Sequence, residues 1–412
     1  MNAPFTTLTV EQSKTLHQID YLFDSLIFKI LKFILIIDSL TGFLIQKGIY
    51  FSPSQIIKII LIGLLIFRLV RSGRGLILVL SIFLYLSVML VHWSFNIDIE
   101  AISDTVNLLY KFIIVILLYS WIRMQQRINI NNYSTKIWNV LYFNFYVLTL
   151  SVILGPLGFG YQQYDNSIGF RGFFFAGNEL AGVSLALFPI ILFNEALKNG
   201  LKSKRFIYYA IVAILAALLM ATKASILGIF LTLIFLPSLL PEKKSISVSL
   251  SRIIQWIFKL MLLLIIIYFS YTLLDSIGII NRWSYYFERD GILSLISGRD
   301  SYLSTKIIEF RGSNLMCHIL GLGENRTVEM DPVDVLLNYG YIGVIITYGF
   351  YSYLIINCIR CHRNLLNIYA KSTLFINMLL LLGGSLSGHI IFSGMAGVFI
   401  AIINGFPYLK ST

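Results

Sequence analysis

The chain contains repeated runs of about 17–25 apolar residues, each long enough to cross roughly 30 Å of hydrocarbon as an α-helix. Hydrophobic residues make up 57% of the sequence and charged residues only 13%. The runs lack the strict alternation of polar and apolar residues that marks a strand of a membrane barrel. Because backbone polar groups find no water inside a bilayer, such runs are expected to cross it as helices. The sequence therefore predicts an all-α, polytopic membrane bundle.

We expect about 12 transmembrane helices in a single integral membrane domain that covers residues 1–412. Phe206–Leu240 is too long for one crossing, because its 35 residues would form a helix of about 52 Å. We therefore predict two short spans there, joined by a turn at Ala221–Lys223. The predicted spans are 26–46, 54–71, 76–92, 105–122, 137–155, 179–196, 206–221, 224–240, 253–274, 333–357, 371–386 and 391–407.

The orientation of the spans is predicted from the loops between them. Lys and Arg concentrate in alternate loops, such as 123–136, 198–205 and 241–252, whereas loop 93–104 carries carboxylates without Lys or Arg. Basic loops stay on the cytoplasmic side of a membrane. We therefore place both termini in the cytoplasm. Most of the net charge of +12 lies in short loops beside the helix ends, so it indicates the orientation of the spans and not a nucleic-acid partner.

Segment 275–332 is too polar to enter the membrane, and we predict one large loop on the non-cytoplasmic face that caps the bundle. Basic residues on this face oppose the usual insertion bias, which suggests that they serve a function. A basic cluster outside the cytoplasm suits an anionic ligand, because Arg and Lys bind phosphate oxygens. The Arg and Lys residues of this segment are Arg282, Arg289, Arg299, Lys306, Arg311 and Arg326.

Two further basic residues, Arg171 and Lys223, fall on the same predicted face. Arg171 precedes a run of aromatic residues and a Gly-Asn turn that opens an apolar helix. Its planar guanidinium matches phosphate oxygens, and a helix start adds N–H groups that favour anions. Both residues also have a structural interpretation. Arg171 suits an interfacial aromatic belt with Asn178 as a helix cap, and Lys223 suits a lysine that snorkels to the surface.

Three carboxylates, Glu329, Asp331 and Asp334, stand around the start of the tenth predicted span. A carboxylate in this position could accept a proton from a sugar hydroxyl as a general base. The alternative is a set of weak surface ion pairs with the neighbouring arginines. Asp38 and Lys111 lie inside predicted spans, where ionisable groups are costly and often functional. The sequence leaves open whether these two residues pair with each other or mark a pathway.

No metal or cofactor is expected from the sequence. The five His residues show no spacing typical of metal ligands. The segment Cys358–His362 matches the short pattern for covalent haem attachment. It falls in a predicted cytoplasmic loop, so the structural context that the motif requires is missing.

The order of these motifs resembles the O-antigen polymerase and O-antigen ligase superfamily of bacterial inner-membrane glycosyltransferases. The resemblance extends over about residues 150–360, and the spans on either side match only in hydropathy. The motifs that carry it are Arg171–Phe173 with Asn178–Ala181, Thr222–Ser225, Ser297–Arg299, Gly321–Gly323 and Asp331–Gly343.

The resemblance implies a metal-independent transferase that acts on undecaprenyl-pyrophosphate-linked oligosaccharides at the periplasmic face. Glu329 stands where the ligase branch has His, which favours a polymerase of the Wzy type, with Glu329 or Asp331 as the base. The alternatives are a ligase that transfers glycan to lipid A core and a lipid-linked oligosaccharide flippase. A chain-length regulator and a flippase are the protein partners that the likeness implies. The expected substrate-binding residues are Arg171, Asn178, Lys223, Arg289, Arg299 and Arg326.

Overall fold

The described chain is almost entirely helical, so the predicted all-α class is confirmed. The computed structural model describes residues 10–73, 75–96, 99–128, 130–164, 168–241, 288, 299–323, 328–363 and 368–408. The predicted span 253–274 lies outside these residues, as do parts of the predicted loop 275–332.

The described helices fall close to the predicted spans. The N-terminal half contains α1 (Val10–Gln46), α2 (Pro53–Arg71), α3 (Leu76–Asn96), α4 (Ile99–Ile128), α5 (Ile130–Ile153), strands β1 (Tyr161–Tyr164) and β2 (Ile168–Gly172), α6 (Gly177–Asn199), α7 (Lys204–Met220) and α8 (Lys223–Leu239). The C-terminal half contains α9 (Arg299–Gly312), α10 (Leu315–Leu320), α11 (Asp331–Arg363), α12 (Ala370–Ser387) and α13 (Ala396–Gly405).

Five of the described helices are long and apolar enough to cross a membrane: α2, α3, α5, α6 and α11. Helices α8, α12 and α13 are apolar but shorter. Length and composition thus support a membrane-embedded bundle. The number of spans, their orientation and the periplasmic position of 275–332 stay predictions.

The predicted turn within Phe206–Leu240 is confirmed. Helix α7 ends at Met220, and Ala221 follows in a left-handed conformation with φ 53°. The Thr222 side chain then caps α8 by accepting the Ser225 N–H at 3.2 Å. A hydroxyl at this position satisfies a backbone donor that the first turn of a helix leaves unpaired.

Strands β1 and β2 form an antiparallel hairpin that the sequence did not predict. The hairpin lies across the ends of two helices. The Tyr161 hydroxyl donates to the Gly42 carbonyl of α1 at 2.8 Å, and the Phe173 N–H donates to Ser151 Oγ of α5 at 3.4 Å. We call this side of the molecule the hairpin end. It includes the end of α1 and the starts of α2, α6, α8 and α11.

The opposite side of the bundle, which we call the basic end, is held by ion pairs. Arg68 on α2 donates two hydrogen bonds of 3.0 Å to Asp24 on α1. Arg205 at the start of α7 pairs with the buried Glu195 of α6 at 3.2 Å. Guanidinium–carboxylate pairs of this kind fix neighbouring helix ends relative to each other.

Helix α13 is buried along its whole length, and it starts inside the protein. Its 10 residues extend only about 15 Å, roughly half of a hydrocarbon core. The residues that join α12 to α13, Gly388–Met395, are mostly buried and non-helical. We call this segment the buried loop. Non-helical backbone at membrane depth must find its hydrogen-bond partners within the protein.

Candidate functional site

Helix α11 is interrupted at Gly340, whose backbone is non-helical with φ 61° and ψ −164°. A break of this kind deprives carbonyl groups in the preceding turn of the N–H partner four residues later. One of these carbonyl groups, that of Leu337, instead accepts a hydrogen bond from the Leu322 N–H at 2.7 Å. The break therefore gives the segment after α10 a docking point on α11.

Two glycine motifs that are separate in the sequence meet at this docking point. Gly321 and Gly340 both have positive φ values, 91° and 61°, which favour glycine. A side chain on either glycine would overlap the backbone of the facing segment. A ring nitrogen of His92 on α3 lies 2.9 Å from the Gly321 carbonyl oxygen. The structure thus brings motif Gly321–Gly323 against motif Asp331–Gly343.

Asp331 begins α11 and is almost completely buried, with 2% of its surface exposed. Its Oδ2 accepts hydrogen bonds from the backbone N–H groups of Ile390 and Ile391, at 3.0 and 2.8 Å. The preceding residue, His389, has φ 56°, so the buried loop curls its N–H groups towards the carboxylate. Successive N–H groups arranged in this way form a concavity that binds anions. Here the Asp331 carboxyl group occupies this concavity.

Asp334 holds the segment that precedes α11. Its Oδ1 accepts the Val328 N–H at 2.5 Å, and its Oδ2 accepts the Met330 N–H at 3.2 Å. Glu329 lies between Val328 and Met330 in the sequence. Its φ is 60°, and its side chain is exposed. The buried carboxylates bind backbone N–H groups here, so the interpretation of Asp331 and Asp334 as surface ion pairs is wrong.

A small cavity separates the start of α11 from the buried loop. It encloses about 10 Å³, close to the space that one water molecule needs. The rings of Tyr339 and Phe392 stack beside it, with centroids 5.6 Å apart and planes 15° apart. The cavity is lined by Asp331, Asp334, Val335, Asn338, Tyr339, His389 and Phe392.

A second polar site lies deeper in the bundle. Lys58 on α2 forms an ion pair of 2.6 Å with Asp38 on α1, and the two side chains are 5% and 4% exposed. The Ser54 hydroxyl also donates to Asp38. Since an isolated charge in this environment is very costly, the pair is stable only while both partners are present.

Lys111 on α4 forms the other ion pair, at 2.7 Å from Glu179 on α6, with side chains 22% and 12% exposed. The other oxygen of Glu179 faces the buried loop. It accepts the Ser393 hydroxyl at 2.9 Å and the Met395 N–H at 3.3 Å. Glu179 therefore connects α4 and α6 to the loop that also holds Asp331.

The two ion pairs converge on Gly394 in the buried loop. A side-chain carbon on Gly394 would lie 3.4 Å from Lys58 Nζ and 3.6 Å from Lys111 Cγ. We call Asp38, Lys58, Lys111 and Glu179 the charge network. The possible pairing of Asp38 with Lys111 is wrong, because each has a nearer partner that the sequence analysis did not single out.

Arg171, a predicted phosphate ligand, makes hydrogen bonds within the hairpin end. Its guanidinium donates to the Gln162 carbonyl at 2.9 and 3.2 Å and to the Phe175 carbonyl at 2.6 Å. The guanidinium also lies 5.4 Å from the centre of the Tyr161 ring. Arg171 thus joins β1 to the segment before α6. Contact with a substrate stays a prediction.

The other predicted binding residues differ in how far the structure describes them. Lys223 is the first residue of α8 and partly exposed. Asn178 lies inside the first turn of α6, whose cap residue is Ala176, so its interpretation as a cap is wrong. Arg299 is the first residue of α9, and the structure describes its backbone but not its side chain. Arg289 and Arg326 lie outside the described residues.

The haem-like motif forms the end of α11, and both of its cysteines are buried. Haem attachment requires accessible thiols, so this position does not fit the motif. Within the described ranges, three or more His, Cys, Asp or Glu side chains do not assemble into a group suited to a metal ion.

Sequence analysis missed Lys58, Glu179 and the buried loop. Lys58 and Glu179 each stand alone near the start of an apolar helix, and such residues often have a buried partner of opposite charge. A turn is predicted between the spans 371–386 and 391–407. The sequence analysis missed that the chain stays non-helical and buried up to Met395, because Ile391 and Phe392 look like the start of the last apolar span. Comparison with protein-family models, curated proteins and solved structures finds no match to this chain.

Proposed function

We propose that this protein is a membrane glycosyltransferase that polymerises undecaprenyl-pyrophosphate-linked repeat units of an O-antigen or capsule at the outer face of a bacterial inner membrane. The observation that carries the proposal is the meeting of Gly321–Gly323 with Asp331–Gly343. Both motifs contribute to the resemblance to the O-antigen superfamily, and the second motif carries Asp331 at its start. Asp331 and Glu329 lie at the same end of the bundle as Arg171 and Lys223.

The reaction needs few protein groups. An acceptor hydroxyl attacks the anomeric carbon of the donor sugar, the bond from that carbon to the pyrophosphate oxygen breaks, and undecaprenyl pyrophosphate leaves. A carboxylate accepts the hydroxyl proton. Basic residues near the leaving group stabilise the negative charge that develops on it. Among the described residues, Arg171 and Lys223 are the predicted cations for this role, and both are partly exposed.

The two candidate bases differ in access. Glu329 is exposed, so an acceptor sugar reaches it without any rearrangement. Asp331 lies beneath the buried loop, beside a cavity too small for a sugar ring. For Asp331 to act as the base, the buried loop must move aside when the acceptor binds.

A lipid-linked oligosaccharide flippase is the second candidate, and the charge network favours it. Buried ionisable residues and interrupted helices are common in transporters. The charge network contributes two ion pairs that join helices inside the bundle, and α11 is broken at Gly340. The polymerase is preferred because the carboxylates and glycine motifs lie together at one end of the bundle, where a group-transfer reaction requires them.

The test is the lipid and polysaccharide content of a strain that lacks this gene. A polymerase defect leaves glycans of a single repeat unit on the final acceptor. Long undecaprenyl-linked chains that never reach the acceptor would indicate a ligase instead. Single units trapped on the cytoplasmic leaflet would indicate a flippase. Either of the last two results contradicts the proposal.

A further inference from the structure

The buried loop is held from two sides by carboxylates of different helices. Asp331 of α11 accepts N–H groups from Ile390 and Ile391 near the start of the loop. Glu179 of α6 accepts a hydroxyl and an N–H group from Ser393 and Met395 near its end. Only one residue, Phe392, separates these two sets of donors in the sequence. A shift at one end of the loop is therefore expected to reach the other.

The Glu179 contact depends in turn on Lys111. A buried carboxylate without a cation is strongly destabilised, and Lys111 compensates Glu179 at 2.7 Å. The Ser393 hydroxyl joins this contact to α13, because it also accepts the Ala396 N–H at 2.8 Å at the start of that helix. The position of the loop is thus coupled to the ion pair between Lys111 of α4 and Glu179 of α6. Neither Lys111 nor Glu179 contacts Asp331 in the described structure.

We propose that Glu179 is a positioning residue for Asp331 and acts through the buried loop. While Glu179 holds Ser393 and Met395, the loop keeps the N–H groups of Ile390 and Ile391 on the Asp331 carboxylate. Release of Glu179 lets the loop leave Asp331 and opens the cavity between them. The effect on catalysis rests on the proposed function, whereas the coupling through the loop does not.

The test is amide hydrogen exchange of the purified, full-length protein in lipid nanodiscs, followed in peptides that contain Ile390 and Ile391. The first variant is the double substitution Glu179→Leu with Lys111→Met. It removes both charges together, because a single substitution would leave one buried charge unpaired. The second variant, Ser393→Ala, removes the hydroxyl contact and keeps both charges. It preserves the test if the double variant fails to fold.

The matched control is Asp38→Leu with Lys58→Met. This pair is at least as buried and lies at the same end of the bundle. Lys58 also lies beside Gly394 of the buried loop, but the hydrogen bonds of the pair run within it and to Ser54. The control therefore removes a neighbouring charge pair and keeps the hydrogen bonds that hold the loop. A general loosening of the bundle would affect the control and the test variants alike. Coupling through Glu179 would affect only the test variants.

We expect exchange at Ile390 and Ile391 to rise by about tenfold or more in both test variants, because local opening sets the exchange rate. Exchange should stay at the wild-type rate in the control. Unchanged exchange in both test variants, or an equal rise in the control, would overturn the inference. Faster exchange with wild-type glycan lengths would support the coupling and contradict the proposed role of Asp331. The coupling through the buried loop and the proposed catalytic role of Asp331 are therefore contradicted by different results.

Discussion

At the scale of single residues, each charge of the network is tolerated inside the bundle because a partner of opposite charge lies within 2.7 Å. Asp38 and Lys111 were identified because ionisable residues inside apolar helices are costly. Their partners, Lys58 and Glu179, were not, because pairing depends on how four helices pack. Hydropathy carries no information about that packing. Arg171 shows the same limit, since its hydrogen bonds to backbone carbonyls depend on a hairpin that the sequence did not predict.

The observed pairing predicts a specific pattern of rescue. Asp38→Leu leaves Lys58 without its partner, and loss of one member of a buried pair costs about 3–5 kcal/mol of stability. Adding Lys58→Met should restore most of the loss, because both charges are then absent. Thermal unfolding in detergent measures the effect.

The matched control for this rescue adds Lys111→Met to Asp38→Leu instead. This combination should recover less stability than Lys58→Met does, since it breaks both observed ion pairs and leaves Lys58 and Glu179 as opposite charges that share no hydrogen bond in the described structure. If Lys111→Met restores stability as well as Lys58→Met does, the pairing in the structure is wrong.

At the scale of elements, helices were predictable and their interruptions were not. Apolar runs and the length argument placed the helices and the turn at Ala221–Lys223, because helix formation in a membrane follows from hydropathy. The break at Gly340 leaves no such signal, and hydropathy places a turn after residue 386 without showing that the loop is buried and extends to Met395. Both are stabilised by partners distant in the sequence, Leu322 for the break and Asp331 with Glu179 for the loop. Such contacts form only once the chain is folded.

Because successive helices cross the bundle in opposite directions, the two ends of the bundle are predicted to face opposite sides of the membrane. Leu315 on α10 is 72% exposed, and Lys202 between α6 and α7 is exposed as well. A membrane-impermeant maleimide applied to spheroplasts should label Leu315→Cys, because segment 275–332 is predicted to face outward. Lys202→Cys should be labelled only after permeabilisation.

The native cysteines leave this labelling experiment with little background. Cys317, Cys358 and Cys361 are all buried, and burial raises the pKa of the Cys317 thiol, so less reactive thiolate is present at neutral pH. The unsubstituted protein is the control and should stay unlabelled. The opposite pattern, with Lys202→Cys labelled first, would reverse the orientation and place the candidate site in the cytoplasm.

At the scale of the whole molecule, the helical bundle brings the candidate groups to one end. The hairpin end combines Arg171 and Lys223 with the Glu329–Asp331 segment, and the charge network lies beneath it. The sequence predicted this common location from charge alone, because the motifs fall on alternate loops. It did not predict that Asp331 is covered, since the covering loop comes from the end of the chain.

The measurement that tests the central claim most directly is the length of the glycan made when the deletion strain carries Asp331→Asn or Glu329→Gln. Both substitutions keep the side-chain shape, and the amide that Asp331→Asn introduces retains an oxygen that can accept the N–H groups of the buried loop. The control is Glu309→Gln, which removes a carboxylate from an exposed ion pair with Lys306.

With normal protein levels, at least one of the two test variants should lower polymerisation by roughly 100-fold or more, as loss of a general base does. That variant should leave glycans of a single repeat unit, and the control should restore wild-type lengths. Wild-type chain lengths from both Asp331→Asn and Glu329→Gln would contradict the assignment of the catalytic carboxylate to this segment.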